Sequence, residues 1–168
     1  MRVADILHEF DLSFLRDAAT LVDSRLRVLE LEAKRSEDPD EQGIYDKAEY
    51  ITGFGFVACQ TYITACVSRS GLSKKKALDL GPCHSCGPSM VSLVNAWANY
   101  WKHSPDWGNS MTHQARETLD TISKFEINIR GSYPTTNALA ALVRPNEPRI
   151  ERLIPFLKQW HESLQHAA

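Results

Sequence analysis

Apolar residues return at helical spacing from the start of the chain. Val3, Leu7, Phe10, Phe14, Leu21 and Val28 follow one another at intervals of three, four or seven, with Ile6, Ala18, Val22 and Leu29 beside them. Such a stripe predicts one long amphipathic helix packed by that face. The run ends in Ser36-Glu37-Asp38-Pro39-Asp40. Asp38 with Pro39 and Glu41 then reads as a helix start: a carboxylate accepts from free backbone N–H groups, a proline has no N–H to leave unpaired, and a glutamate can return the bond. The helix it opens carries Ile44, Ala48, Ile51, Gly55, Ala58, Tyr62 and Cys66 along one face and ends near Gly71. Gly53 and Gly55 inside it each cost about 1 kcal/mol relative to Ala, which predicts a second helix packed closely there. Cys59 and Cys66 fall on or near the packed stripe, where a free thiol serves as a small apolar group.

Ser73 to Gly87 is the least regular stretch, with Gly81-Pro82 and Gly87-Pro88 around Cys83-His84-Ser85-Cys86. Pro88 opens the next helix, whose apolar run from Met90 to Trp101 ends in Lys102-His103-Ser104-Pro105-Asp106. Pro105 disfavours helical geometry at Ser104, so Asn99, Lys102 and His103 belong to the last turn. A shorter helix is expected from about Ser110 to Lys124, with Met111, Ala115, Leu119 and Ile122 on one face. Phe125 to Pro134 alternates weakly, but a lone strand has nothing to pair with and the stretch reads as a loop. Thr135 or Thr136 caps a helix reaching Val143, and Asn146 starts the last one, with Ile150, Leu153, Leu157, Trp160 and Leu164 inward and Pro155 kinking or restarting it. The sum is an all-α fold: one domain over residues 1–168, a bundle of five or six helices whose first two form a long antiparallel hairpin.

Composition adds bounds rather than direction. The 168 residues suffice for one real core, and a 43% apolar fraction with four Trp is ordinary for a globular protein. A net charge of -2 gives no global attraction to phosphate backbones, so nucleic-acid binding would rest on a local patch. Lys74-Lys75-Lys76, the one basic run, reads first as a solvated loop or helix start. Asp5, Glu9 and Asp11 break up the N-terminus, unlike a signal peptide, and no window approaches the roughly 18 apolar residues of a membrane span. The expected location is cytoplasmic. Four Cys in a chain of this size demand no disulfide scaffold.

The chemistry gathers at the end of the Met90 helix. Asn99 and His103 are four apart and share a face that Lys102 borders. His103 suits a general acid or base because imidazole titrates near neutral pH. Lys102 suits the charge that builds on a phosphorane, and Asn99 suits the orientation of an imidazole or a phosphate oxygen. The same residues read equally as a helix C-cap, since His and Lys in the last turn offset the macrodipole by about 0.3 to 1 kcal/mol. Trp97, Tyr100 and Trp101 read as core or interface, with one exposed ring able to stack on a base. Cys83-x-x-Cys86 stays open among three readings. Zinc would need His84, His103, His113 or a second chain to complete its ligands; a thioredoxin-like dithiol would need a strand before it; the third reading is a plain turn.

The segment Ala98-Asn99-Tyr100-Trp101-Lys102-His103 resembles the signature of the HEPN superfamily, helical domains that include many toxins and defence ribonucleases. In that signature an Arg followed by a polar residue, often Asn, precedes a His at a helix end; aligned on Asn99 and His103, the Arg position falls on Ala98. The resemblance implies a metal-independent ribonuclease, or an RNA- or nucleotide-binding protein, in a toxin–antitoxin or defence setting, with Asn99, Lys102 and His103 as its site. Lys102 would then replace the Arg as a point charge without the planar fork. The resemblance also implies a homodimer whose two motifs face one cleft, so that one His103 serves as base and the other as acid. The missing Arg fits equally a non-catalytic helical module that binds a partner protein.

Overall fold

The apolar periodicity does form helices throughout. The computed structural model describes residues 3–108, 111–125 and 127–167. Its elements are α1 (Val3–Arg35), α2 (Ile44–Ser70), α3 (Lys74–Leu78), α4 (Met90–His103), α5 (His113–Ser123), α6 (Pro134–Val143) and α7 (Ile154–Ala167), with 3-10 turns at Ser104–Gly108 and Ile150–Leu153. The fold is all-α; among the described residues the β structure amounts to one bridge between Cys83 and Ser89. α1 and α2 make the expected long hairpin, and α2 is its inner member, packed also against α4, α6 and α7.

The packed face of α1 is not the one its spacing selected. Leu12, Leu15, Ala19, Leu26 and Leu29 are buried, whereas Phe10, Phe14, Leu21 and Val28 face solvent, Phe10 at 68% and Leu21 at 74% exposure. The side chains of Val3, Ile6 and Leu7 lie outside the described residues. At about 100° per residue the two sets fall on nearly opposite faces, so α1 carries two apolar stripes of the same period. Polar anchors on the inner side distinguish them. Asp23, fully buried, accepts from the backbone N–H groups of Ile150 (2.8 Å) and Glu151 (3.0 Å), and Glu30 takes the Arg149 guanidinium in a two-point pair at 2.6 and 2.7 Å. These bonds hold the start of the C-terminal segment against α1 and turn the Leu12 face inward.

Asp38 does accept the Glu41 N–H at 3.0 Å, yet α2 begins only at Ile44. Gly43 takes a left-handed conformation, φ 64°, which ends the first turn and restarts the chain in a new direction. The two α2 glycines are sites of close approach, as expected. A Cβ on Gly53 would fall 2.0 Å from Nε1 of Trp101, and one on Gly55 would fall 2.3 Å from Cγ1 of Ile150. α2 also contains an 18-residue stretch long and apolar enough to cross a membrane, which the sequence reading did not expect; half of that stretch is buried inside this fold.

Within the irregular stretch after Gly71, Ser73 caps the short α3. α5 starts at His113 under a Thr112 cap, where Thr112 Oγ1 accepts from Ala115 N–H at 3.1 Å; Ser110 lies outside the described residues. Ala115, Thr118 and Ile122 are its inner face, and Met111 is exposed rather than packed. The described residues from Phe125 to Tyr133 form no strand. α6 has Pro134 in its first turn, and its free N–H groups are capped from a distance: Glu49 of α2 accepts from Thr135 N–H (2.7 Å) and Thr136 N–H (2.8 Å). Ile150, Leu153, Leu157, Trp160 and Leu164 are all buried, and Pro155 stands in the first turn of α7, where the chain passes from the 3-10 turn into α-helix.

Candidate functional site

α4 is apolar on most of its surface, with Leu93, Val94, Trp97 and Ala98 in the core. One line of it is polar. Ser92, Asn95 and Asn99 lie one above the other at intervals of three and four, and Lys102 and His103 extend the line to the helix end. Gln60 of α2 meets this line from the side. Its Nε2 donates to Asn99 Oδ1 (2.8 Å), to Asn95 Oδ1 (3.0 Å) and to the Asn95 main-chain carbonyl (3.3 Å). A main-chain carbonyl can only accept, so the Gln60 atom beside it is the NH2 group, and both asparagine oxygens are turned towards it.

That polarity leaves the two Nδ2 groups as donors. They make no hydrogen bond among the described residues, and neither is sealed from solvent. Asn95 and Asn99 line the floor of a cleft of about 560 Å³ between α3, α4 and α5, with Lys74 and Lys75 on one wall and Glu117 and Asp120 on the other. Lys102 lies on the neighbouring side of the ridge, along α2 beside Gln60, Thr61 and Thr64. Packing there strips water from its amine and lowers its pKa from the ordinary lysine value, and the Lys74 charge lowers it further.

His103 is exposed and makes no hydrogen bond, ion pair or ring contact among the described residues. Asn99 does not orient it, because Asn99 Oδ1 is held by Gln60. Asn99 and Lys102 therefore flank one ridge, and His103 stands at its solvent end. Ala98 is buried completely, so an Arg at this position would have to enter the core. Trp97 is core, whereas Tyr100 pins the following loop by donating its hydroxyl to the Ile129 carbonyl at 3.0 Å. Trp101 is half-buried between exposed Tyr50 and Phe54, its ring 5.4 and 5.2 Å from theirs.

Cys83 and Cys86 sit in a tight turn closed by the His84 N–H bond to the Pro88 carbonyl (2.8 Å) and the Gly87 N–H bond to the His84 carbonyl (2.9 Å). His84 Nδ1 lies 3.1 Å from Cys86 Sγ, and the ring rests edge-on against Phe125. Cys83 is exposed, and it joins no trio of potential ligands among the described residues.

A different cluster is assembled where α1, α2 and α7 meet. His8, Cys66 and His161 come together there, with the two imidazoles stacked at 3.5 Å and Tyr62 beside them. Burial lowers the pKa of His8 and brings that of His161 down to about 4, with the neighbouring His8 and Arg69 adding to the latter; burial pushes the Cys66 thiol up to about 11. Nothing in the spacing of 8, 66 and 161 signals this meeting.

These features define an all-α protein with a donor-lined polar cleft. No family model, curated protein or solved structure matches the chain.

Proposed function

We propose that the cleft beside Asn95, Asn99 and Lys102 binds the phosphate-bearing backbone of RNA or a nucleotide, with His103 as the proton-transfer group of a metal-independent ribonuclease. One observation carries this reading: Gln60 fixes two amide NH2 groups as donors in a cleft that has Lys74 and Lys75 on one wall and Lys102 on the adjoining ridge. The donors and cations on this side of the cleft suit the anionic oxygens of such a ligand, and Glu117 and Asp120 on the opposite wall leave acceptors for its hydroxyl or amino groups. The likeness of the Ala98 to His103 segment to the HEPN signature supports RNA among such ligands and supports a toxin or defence role. A second copy of the chain, paired through the Tyr50, Phe54 and Trp101 patch, would bring a second His103 and so supply both a base and an acid.

The test is a labelled-RNA assay without divalent metal, reading binding and cleavage together. Lys102→Ala should weaken binding, lower the salt slope by about 1, and slow cleavage by roughly 10² to 10³. His103→Ala should leave binding unchanged and abolish cleavage. Equal cleavage by wild type and His103→Ala, or no binding by either, would overturn the proposal. A second reading, a non-catalytic module that docks on a partner protein, is favoured by the exposed Phe10, Phe14, Leu21 and Val28 face of α1. It expects no RNA affinity at all and no effect of Lys102→Ala.

A further inference from the structure

His8, Cys66 and His161 are brought from three helices to within 4.8 Å of one another, measured between their potential ligand atoms. Cys66 is buried and the two histidines are half-buried. His161 makes no hydrogen bond among the described residues, and the polar neighbour of His8 is the Tyr62 hydroxyl, 3.4 Å from Nδ1. The Cys66 thiol has Tyr62 and Arg69 as hydrogen-bond partners, but the two imidazoles, withdrawn from water with so few partners, are poorly satisfied by the protein alone, because buried polar groups normally find partners. A common partner would satisfy all three.

We infer that His8, Cys66 and His161 form a site for a divalent transition-metal ion of the zinc type, with a fourth position open to water. One thiolate and two imidazoles match the preference of zinc and its relatives, whereas magnesium and calcium select oxygen donors. Bond lengths of about 2.3 Å to sulfur and about 2.0 to 2.1 Å to nitrogen place tetrahedral ligand atoms roughly 3.3 to 3.6 Å apart, so the present spacing closes with about an ångström of side-chain movement. The imidazole planes are parallel, 3° apart, and do not aim both lone pairs at one point. Metal binding therefore requires one of the stacked rings to turn about χ2. Binding replaces the Cys66 S–H bond by a sulfur–metal bond and releases one proton to solvent.

The Tyr62 hydroxyl is placed to hydrogen-bond the ligand ring of His8, and the Asp11–Arg69 ion pair lies beside the cluster. The metal would join the first helix, the second and the last, and so tie the two ends of the chain together. It lies apart from the α4 cleft, and the Cys83-Cys86 turn plays no part in it.

The experiment uses the full-length chain, stripped with a chelator and titrated with Co²⁺ alone. Wild type should bind about one equivalent and develop a thiolate-to-cobalt charge-transfer band with the intense visible bands of a tetrahedral site, and zinc should displace it. Cys66→Ser should lose the charge-transfer band, and His161→Gln should weaken binding by about a hundredfold or more. The double variant Cys83→Ser with Cys86→Ser should behave as wild type. His161→Gln changes a half-buried side chain, so it keeps the test decisive even where Cys66→Ser fails to fold. Absence of a cobalt spectrum in wild type overturns the inference, as does a spectrum that survives His161→Gln or disappears in the Cys83, Cys86 double variant.

Discussion

At the scale of single residues, buried polar groups and helix crossings hold the most specific information. Burial raises the Asp23 carboxyl above its ordinary range; the backbone donors of Glu151 and Ile150 pull the other way, as does Arg149, while Glu151 adds to the rise. The folded chain therefore binds this proton more tightly than the unfolded chain does. That contribution to stability is complete below the unfolded value near 3.8 and is lost as pH rises through the raised folded value. Asp23→Asn keeps an acceptor and cannot titrate, so its melting temperature should vary less with pH over roughly pH 3 to 7 than that of wild type. Parallel profiles would show that Asp23 titrates as it does in the unfolded chain. Gly55 gives a second case at this scale. A methyl group there meets the fully buried Ile150, so Gly55→Ala should cost about 1 to 3 kcal/mol in denaturant unfolding despite the better helix propensity of Ala. Gly53→Ala meets instead the ring of half-buried Trp101, which can swing outward; it should change tryptophan fluorescence with a smaller loss of stability.

At the scale of elements, α1 poses the sharpest question because it has two apolar stripes. Leu15 is buried and Phe14, its neighbour, is 59% exposed. Leu15→Ala should destabilise the fold by about 2 to 5 kcal/mol, as truncations in a packed core do, whereas Phe14→Ser should stay within about 0.5 kcal/mol. Urea unfolding of the two variants ranks the faces directly, and the reverse order would mean that the outer stripe is the packed one. α6 shows a different dependence. Its free N–H groups are satisfied by Glu49 of α2 rather than by a residue before the helix, so Glu49→Ala should cost about 0.5 to 2 kcal/mol and loosen α6 selectively in hydrogen exchange. Thr136→Val removes the hydroxyl bond to Glu49 and the longer contact with Thr52 Oγ1 at 3.5 Å but leaves both backbone bonds to Glu49, and should cost less.

At the scale of the whole molecule, the apolar surfaces among the described residues include the outer stripe of α1 and the Tyr50, Phe54 and Trp101 patch. The proposed ribonuclease uses the second, since that patch adjoins Lys102 and His103 on α4. Phe54→Ser should therefore weaken self-association by tenfold or more, about 1.4 kcal/mol, in sedimentation equilibrium, while Phe14→Ser leaves it unchanged. The opposite result would shift self-association to α1 and separate the two His103 side chains from any shared cleft.

Much of this architecture was legible along the chain. The helices of the hairpin, the tight crossings at Gly53 and Gly55, and the inward set Ile150, Leu153, Leu157, Trp160 and Leu164 follow from periodicity and backbone chemistry, which act over a few residues and are written locally. The placing of Asn99, Lys102 and His103 on the last turn of a helix was likewise local. Other features needed the tertiary structure, because each depends on groups far apart in sequence. Which stripe of α1 is packed was decided by Asp23 and Glu30 meeting the 149–151 segment. The role of Asn99 was decided by Gln60, which draws its oxygen away from His103. The trio His8, Cys66 and His161 exists only because the first, second and last long helices converge at one end of the bundle. Local periodicity decides that a helix forms and which faces are apolar, but two equivalent faces differ in energy only through the distant partners that bury one of them and satisfy its polar groups.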